Sequence, residues 1–117
     1  MPNQHLIEIP VVFYRTSGGI EPVRDWLREL PDEDRRRIGF DLATLQVGWP
    51  VGMPLCRALG NGLWEVRSNL PSRRTARLLF FVGKGRICLV HGFIKKTQKT
   101  PPDELELARK RMEEMAT

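Results

Sequence analysis

The stretch that decides the fold runs from Leu63 to Ile94 and reads, in order, LWEVRSNL, PSRR, TARLLFFV, GKG and RICLVHGFI. Two short segments of Gly, Pro, Ser and charged residues separate three apolar runs, a pattern typical of strands joined by tight turns. The middle run is nearly all apolar, which indicates a strand with neighbours on both sides. We therefore predict an antiparallel meander with strands at Leu63–Leu70, Thr75–Val82 and Arg86–Ile94.

The residues before this stretch predict one strand and two helices. His5–Tyr14 is apolar and β-branched, and Pro10 within it indicates an edge strand or a bulge. Apolar residues at helical spacing follow Pro22, and they follow again after the acidic run at Asp32, where negative side chains suit the helix dipole. Gly48–Gly62 is rich in Gly and Pro and is interpreted as a loop.

The end of the chain predicts a terminal helix. Thr100 is expected to be its N-cap, Pro101 its first helical residue and Asp103 the second half of a capping box. The element order is then β-α-α-β-β-β-α, an α+β fold with helices packed on a curved antiparallel sheet. A chain of 117 residues fits one domain spanning residues 1–117.

The charge of the chain is concentrated in its middle. The formal net charge is +5, but the segment Arg57–Lys99 holds ten basic residues and one acidic residue, a net charge of +9. A segment this basic favours a polyanionic partner. The alternative interpretation is a basic surface that serves only solubility.

Cysteine usage and hydropathy limit the compartment and exclude some classes of protein. Cys56 and Cys88 are expected to be buried free thiols, with a disulfide as the alternative. No spacing is typical of a zinc site, so we expect no metal. The chain lacks a signal-peptide layout and an apolar run of the roughly 18 residues that a membrane span needs. We therefore expect a cytoplasmic protein with no membrane partner.

The candidate functional residues begin on the first two strands of the meander. Glu65 and Arg67 share one strand face because side chains alternate along a strand. Arg77 lies early in an apolar strand, where a charge is costly unless it reaches solvent, an acid or a bound anion. Two interpretations stay open for Arg77, a contact with phosphate and a structural ion pair with Glu65.

A second group of candidates follows the last strand. Three lysines, Lys95, Lys96 and Lys99, cluster beside the start of the terminal helix, where the helix dipole favours phosphate. Crowded cations also lower the pKa of a lysine, which suits a proton acceptor. The alternative is a basic loop that keeps the protein soluble. His91 is expected on the same strand face as Leu89, as a structural imidazole or a catalytic one.

Three quoted segments carry a resemblance to a known family. LWEVR at 63–67, ARLLFF at 76–81 and HGFIKKTQKTP at 91–101, followed by Glu104 and Ala108, resemble the phage-derived HigB-like branch of the RelE/ParE toxin superfamily. The resemblance covers most of the chain and is strongest from Leu63 to Arg111. The lysine-rich segment is specific because it follows the two arginine-bearing strands in the same order.

The resemblance implies the toxin of a type II toxin–antitoxin system. Such toxins are metal-independent endoribonucleases (mRNA interferases) that need no cofactor and cleave mRNA in the ribosomal A site beside rRNA. The expected protein partner is a small helix-turn-helix antitoxin. Carried over by position, Arg67 acts in RNA contact or catalysis, Arg77 stabilises the transition-state phosphate, and Lys95 lies in a further basic cluster. We expect RNA binding by five other cations of the basic segment: Arg57, Arg73, Arg74, Lys96 and Lys99.

The chain also departs from the family's pattern. Some RelE-type toxins carry a catalytic tyrosine near the C-terminus, whereas the one tyrosine here is Tyr14. Glu65 stands where some members have a second basic residue. The general base is therefore open among Glu65, a lysine and His91. Two other functions stay open, a ParE-like inhibitor of DNA gyrase and an inactive domain that binds RNA or an antitoxin.

Overall fold

The computed structural model describes residues 8–116 and contains five strands and three helices in that range. In chain order these are β1 Val11–Phe13, α1 Pro22–Arg28, α2 Asp32–Gly48, β2 Cys56–Gly60, β3 Leu63–Asn69, β4 Thr75–Gly83, β5 Arg86–Ile94 and α3 Pro102–Ala116. The α+β class is therefore confirmed, and the three meander strands agree with their predicted bounds to within one residue. The residues of the predicted first strand before Glu8 lie outside the described range.

The sheet is mixed, so the prediction of an antiparallel sheet is wrong at one edge. Its strand order is β1-β5-β4-β3-β2, with antiparallel pairing everywhere except between β1 and β5. Two helices and three strands separate β1 from β5 along the chain, and so long a connection allows the two strands to run parallel. The edge position indicated by Pro10 is confirmed, since β1 is the outer strand.

The predicted loop Gly48–Gly62 contains a strand that the sequence pattern did not reveal. β2 forms the second edge of the sheet and pairs with β3, with Arg57 opposite Glu65. Its five residues include Ala58, Gly60 and one arginine, and only Cys56 is buried. An edge strand with so little apolar surface depends on its partner's hydrogen bonds, which propensity cannot show.

The sheet separates two apolar clusters. On one face α1 and α2 pack against side chains such as Leu78 and Phe80 of β4. On the other face α3 covers a smaller cluster that includes Leu63 and Leu79, and we call this side the α3 face. α3 packs mainly against β4 and β5, so the part of this face formed by β3 and β2 is less covered.

A β-bulge in β5 changes which residues share a face. Leu79 pairs with His91, whereas the next residue, Phe80, pairs with Leu89, which leaves Val90 as the extra residue. Leu89 therefore belongs to the cluster under α1 and α2, while His91 lies on the α3 face. The expectation that His91 and Leu89 share a face is wrong, because a bulge shifts the alternation by one residue.

The capping box predicted at Thr100 is also wrong. The helix α3 begins at Pro102, and the Pro101 carbonyl accepts its first bond, from the amide of Leu105. The hydroxyl of Thr100 instead donates to Glu65 on β3. A buried carboxylate is a stronger acceptor than a competing local cap, so the tertiary contact takes the threonine side chain.

Two predictions about composition are tested by the fold. Cys56 and Cys88 are both free and buried, as expected. Burial raises the pKa of the Cys56 thiol to about 11. Among the described residues, none of the helices is long and apolar enough to cross a membrane.

Candidate nucleic-acid interface

The structure brings the predicted catalytic residues to one face of the sheet. Arg67 on β3 lies opposite Arg77 on β4, and Arg77 lies opposite Phe93 on β5. Glu65 and His91 occupy the same face two residues along, and the amide of Lys95 continues the β4–β5 ladder by donating to Thr75. Arg57 joins this α3 face from β2 because it is paired with Glu65. All of these side chains project on the side that α3 only partly covers.

Arg77 is at the centre of this face and is enclosed. Its guanidinium donates to the carbonyl of Gln98 at 2.7 Å and to the hydroxyl of Thr100 at 3.4 Å. Nε of Arg77 lies 3.5 Å from Oε1 of Glu65. The same Glu65 oxygen accepts a hydrogen bond of 3.0 Å from Thr100. The structural ion pair left open by the sequence is therefore formed, and the segment after β5 covers it.

The surroundings of Arg77 shift its pKa in opposing directions. Burial lowers the pKa of Arg77, the carboxylate of Glu65 opposes that effect, and the positive charges of Arg67 and Arg57 add to the lowering. Within residues 8–116, Oε2 of Glu65 and Nε of Arg77 are buried without a hydrogen-bond partner. A buried charged centre with unused hydrogen-bonding capacity is costly in a fold, and such groups are concentrated at functional sites.

The accessible cations surround this buried centre. Arg57 is exposed and Arg67 is half-buried, so both reach solvent from the same face as Arg77. Lys96 and Lys99 are exposed on the segment that covers Arg77, and Lys95 is half-buried at its start. Three strands and one connecting segment thus place positive charge around a single region, an arrangement that attracts phosphate.

The remaining predicted RNA contacts, Arg73 and Arg74, lie in the β3–β4 turn. Both are exposed, but Arg74 is tied to the structure. It donates to the buried carboxylate of Asp34 at 3.3 Å, and Ser72 donates to the same carboxylate at 2.8 Å. Burial by itself would raise the pKa of Asp34, but the bonds from Ser72 and Arg74 together lower it. Arg74 therefore has a structural partner on α2, and Arg73 has its side chain toward solvent.

His91 takes part in a network with α3. Its Nε2 lies 2.9 Å from Oε1 of Glu104, and its Nδ1 lies 3.5 Å from the guanidinium of Arg111. An arginine only donates, so Nδ1 of His91 accepts and the ring hydrogen is on Nε2, where it is donated to Glu104. Both ring nitrogens are then in use, which fits the structural interpretation of this histidine.

Sequence reasoning missed the extension of this network along α3. Arg111 also donates to the Val90 carbonyl at 2.9 Å, and its guanidinium lies 5.0 Å from the ring centre of Tyr14. The hydroxyl of Tyr14 donates to Glu114 at 2.5 Å, a bond that raises the pKa of the phenol. The available signal was the spacing of Glu104 and Arg111, since residues seven apart lie on one face of a helix.

The described residues do not bring three or more His, Cys, Asp or Glu side chains together in a geometry that would hold a metal ion. The accessible side chains around Arg77 are cations such as Arg57, Arg67 and Lys96, which attract anions and donate hydrogen bonds. The chemistry available on this face is therefore electrostatic attraction and hydrogen-bond donation to anionic oxygen atoms.

The fold and this face define a class, a small α+β protein that presents a basic sheet face beside its C-terminal helix. A comparison with protein-family models matches residues 25–113 to the family described as Phage derived protein Gp49-like (DUF891). The match covers well over half of the chain, and the protein belongs to this family, which is a known family of RelE-like toxins. A search of curated proteins finds no match.

Proposed function

We propose that this protein is the toxin of a type II toxin–antitoxin system and that it cleaves mRNA on the ribosome without a metal ion. The observation that carries the proposal is the convergence of Arg57, Arg67, Arg77 and Lys95 on one sheet face. Membership of a RelE-like toxin family supports the toxin role. The HigB-like assignment, the ribosome as the site of action and the helix-turn-helix antitoxin belong to the same proposal.

The proposed chemistry needs only bases, acids and cations. A base takes the proton of an RNA 2′-hydroxyl, the oxygen attacks the adjacent phosphorus, and the bond to the 5′-oxygen breaks as that oxygen gains a proton. The products are a 2′,3′-cyclic phosphate and a free 5′-hydroxyl. Cations stabilise the negative charge that grows on the phosphoryl oxygens.

Exposure divides the roles among the arginines. Arg67 reaches solvent and is our proposed direct phosphate contact, with Arg57 beside it. Arg77 is 1% exposed, so a phosphate reaches it only when Gln98 and Thr100 give up their bonds to it. A guanidinium pairs with two phosphate oxygens at once, so such an exchange keeps the hydrogen bonds of Arg77 satisfied.

Of the three candidates for the general base, Lys95 is the one that this geometry favours. Glu65 is fully buried in its ion pair with Arg77, and His91 uses both ring nitrogens within the protein. Lys95 is half-buried at the margin of the basic face. We assign it the proton-accepting role, which it performs only in its uncharged amine form, with Lys96 and Lys99 holding the RNA backbone.

The test is translation of a defined mRNA in a reconstituted bacterial system, with primer extension to locate new 3′ ends. We expect cuts only where ribosomes occupy the message. Arg67→Ala should slow cleavage about 100- to 1,000-fold, the usual effect of removing one transition-state donor. Arg36→Ala, on the exposed side of α2, removes the same charge and should cut normally.

Other outcomes would contradict the proposal. An intact message, together with inhibited DNA gyrase in a supercoiling assay, would assign the ParE-like function instead. An intact message with no effect on growth would indicate a domain that only binds. Equal cleavage by Arg67→Ala and the wild-type protein would remove Arg67 from the site.

A further inference from the structure

The outer edge of β5 is only partly occupied. β1 pairs with Ile87–Leu89, and the amide of Tyr14 adds a bond of 2.8 Å to the Leu89 carbonyl. The chain then turns away toward α1, although β5 continues to Ile94. At Val90 the guanidinium of Arg111 bonds the strand's carbonyl in place of a neighbouring strand. Among the described residues, no strand pairs with the rest of this edge.

The backbone groups at the open part of this edge can be identified from the ladder. The amide of Lys95 donates inward to Thr75 of β4, and inward-facing residues alternate along an antiparallel strand. The backbone N–H and C=O groups of His91 and Phe93 therefore also point toward β4, whereas those of Gly92 and Ile94 point outward. The bulge at Val90 makes this possible, because it shifts the alternation after Leu89.

Two cavities lie along this edge and share three residues, Trp26, His91 and Gly92. The larger, of about 580 Å³, extends toward Ile94, Lys96 and Pro101, and the smaller, of about 200 Å³, extends toward Pro22 and Arg111. α1 forms one wall and α3 the other. Together the cavities make a groove with a strand edge as its floor, which we call the β5 groove.

We propose that the β5 groove binds an extended, acidic peptide segment of a partner protein by β-strand addition. The alternating outward N–H and C=O groups of Gly92 and Ile94 match a peptide backbone. Arg74, Lys96 and Arg111 line the groove with one carboxylate, Glu104. Arg74 is also paired with Asp34, so the exposed Lys96 is the cation best placed to receive an acidic side chain. Residues 90–94 span roughly 16 Å at about 3.3 Å per residue, which suits a segment of about five residues.

This proposal does not depend on the proposed nuclease activity, because binding at the groove is measured without RNA or ribosomes. A proline substitution provides a selective probe. Proline lacks the backbone N–H, and in a strand it is tolerated where that N–H points away from the ladder. Ile94→Pro therefore deletes an outward donor and leaves the β4–β5 pairing in place. Ile94→Val is the matched control, since it keeps the donor and nearly the same packing.

The experiment starts from a phage-displayed library of linear 12-residue peptides, panned on the full chain. Enriched peptides are synthesised with a fluorophore and titrated against the wild-type protein and both variants. We expect acidic sequences that bind wild type and Ile94→Val alike and bind Ile94→Pro at least tenfold more weakly. Replacement of the acidic residues of the peptide by lysine should abolish binding.

Amide hydrogen exchange on the wild-type protein keeps the test decisive if Ile94→Pro fails to fold. Bound peptide should slow exchange at Gly92 and Ile94 and leave the β2 edge unchanged. The proposal is overturned if no peptide is enriched, if Ile94→Pro binds as tightly as Ile94→Val, or if protection appears elsewhere. It is also overturned if an RNA hexamer binds the groove and protects the same amides.

Discussion

Nε of Arg77 and Oε1 of Glu65 lie 3.5 Å apart in a place where the two side chains are 1% and 0% exposed. The ion pair links the central strand β4 to β3, and Thr100 ties both partners to the segment before α3. The same pair is thus part of the core and part of the basic face. Its structural and functional contributions can be separated by substitution.

We predict that Glu65→Gln destabilises the protein by about 3–5 kcal/mol, because it leaves the buried charge of Arg77 without a counter-charge. The double substitution of Glu65→Leu with Arg77→Met should recover most of that loss, since apolar residues of similar volume often replace a buried ion pair without cost. Urea denaturation measures both. A double variant as unstable as the single one would contradict the ion-pair interpretation.

The double variant also tests the proposed function. If Arg77 receives phosphate, the refolded and stable double variant should bind RNA but fail to cleave mRNA in the translation assay. Normal cleavage by a stable double variant would assign Arg77 a structural role only. Circular dichroism and the urea midpoint serve as the controls for folding.

A second prediction concerns Gly92, where a methyl group would lie 2.8 Å from Cζ3 of Trp26. Gly92→Ala should destabilise the protein by about 1–3 kcal/mol, because the indole and the strand must move apart. Gly39→Ala on the exposed side of α2 is the matched control, since a Cβ there meets nothing within 4 Å. The control should stabilise the helix by about 0.5–1 kcal/mol. Equal effects of the two substitutions would disprove the close contact.

A third prediction follows from the lowered pKa of Asp34. The unfolded chain binds this proton more readily than the folded protein, so the stabilisation is present above the ordinary pKa of 3.8 and is lost as the pH falls below it. Asp34→Asn should therefore lower stability at pH 7 and flatten its decline in acid. Glu29→Gln removes an exposed charge from the same region and should keep the wild-type profile, as measured by urea midpoints from pH 2 to 7.

A fourth prediction concerns thiol reactivity. Burial raises the pKa of Cys56 to about 11 and also raises that of Cys88. The thiolate is the reactive form, so the folded protein should not react with a disulfide reagent at pH 8. In 8 M urea both thiols should react at once. Rapid reaction of either one in the folded protein would show that its strand opens locally.

A fifth prediction concerns RNA binding. The logarithm of the binding constant should fall linearly with the logarithm of the salt concentration, because each neutralised phosphate releases counterions. Arg67→Ala should reduce that slope by about 0.7 on single-stranded RNA, the loss of one phosphate contact. Fluorescence anisotropy at several salt concentrations gives the slope. Arg36→Ala should leave it unchanged, and an unchanged slope in Arg67→Ala would place Arg67 outside the RNA-binding surface.

The sequence predicted which residues form the candidate site, but it did not predict that Arg77 is covered by another segment of the chain. Alternation along Leu63–Asn69 correctly predicts that Glu65 and Arg67 share a face, and the +9 segment predicts a basic surface. No local pattern reveals that Gln98 and Thr100 cover Arg77. That contact joins residues more than twenty positions apart, and only the packing of the last connection on the sheet decides it.

By itself the sequence determined the meander, the helices and the concentration of positive charge, because strand alternation, helical periodicity and turn residues act over a few neighbouring positions. The tertiary structure decided the parallel pairing of β1 with β5, the edge strand β2 and the bulge at Val90. These depend on hydrogen bonds between distant segments. For the same reason the open edge of β5, between Trp26 and Glu104, exists only in the folded protein.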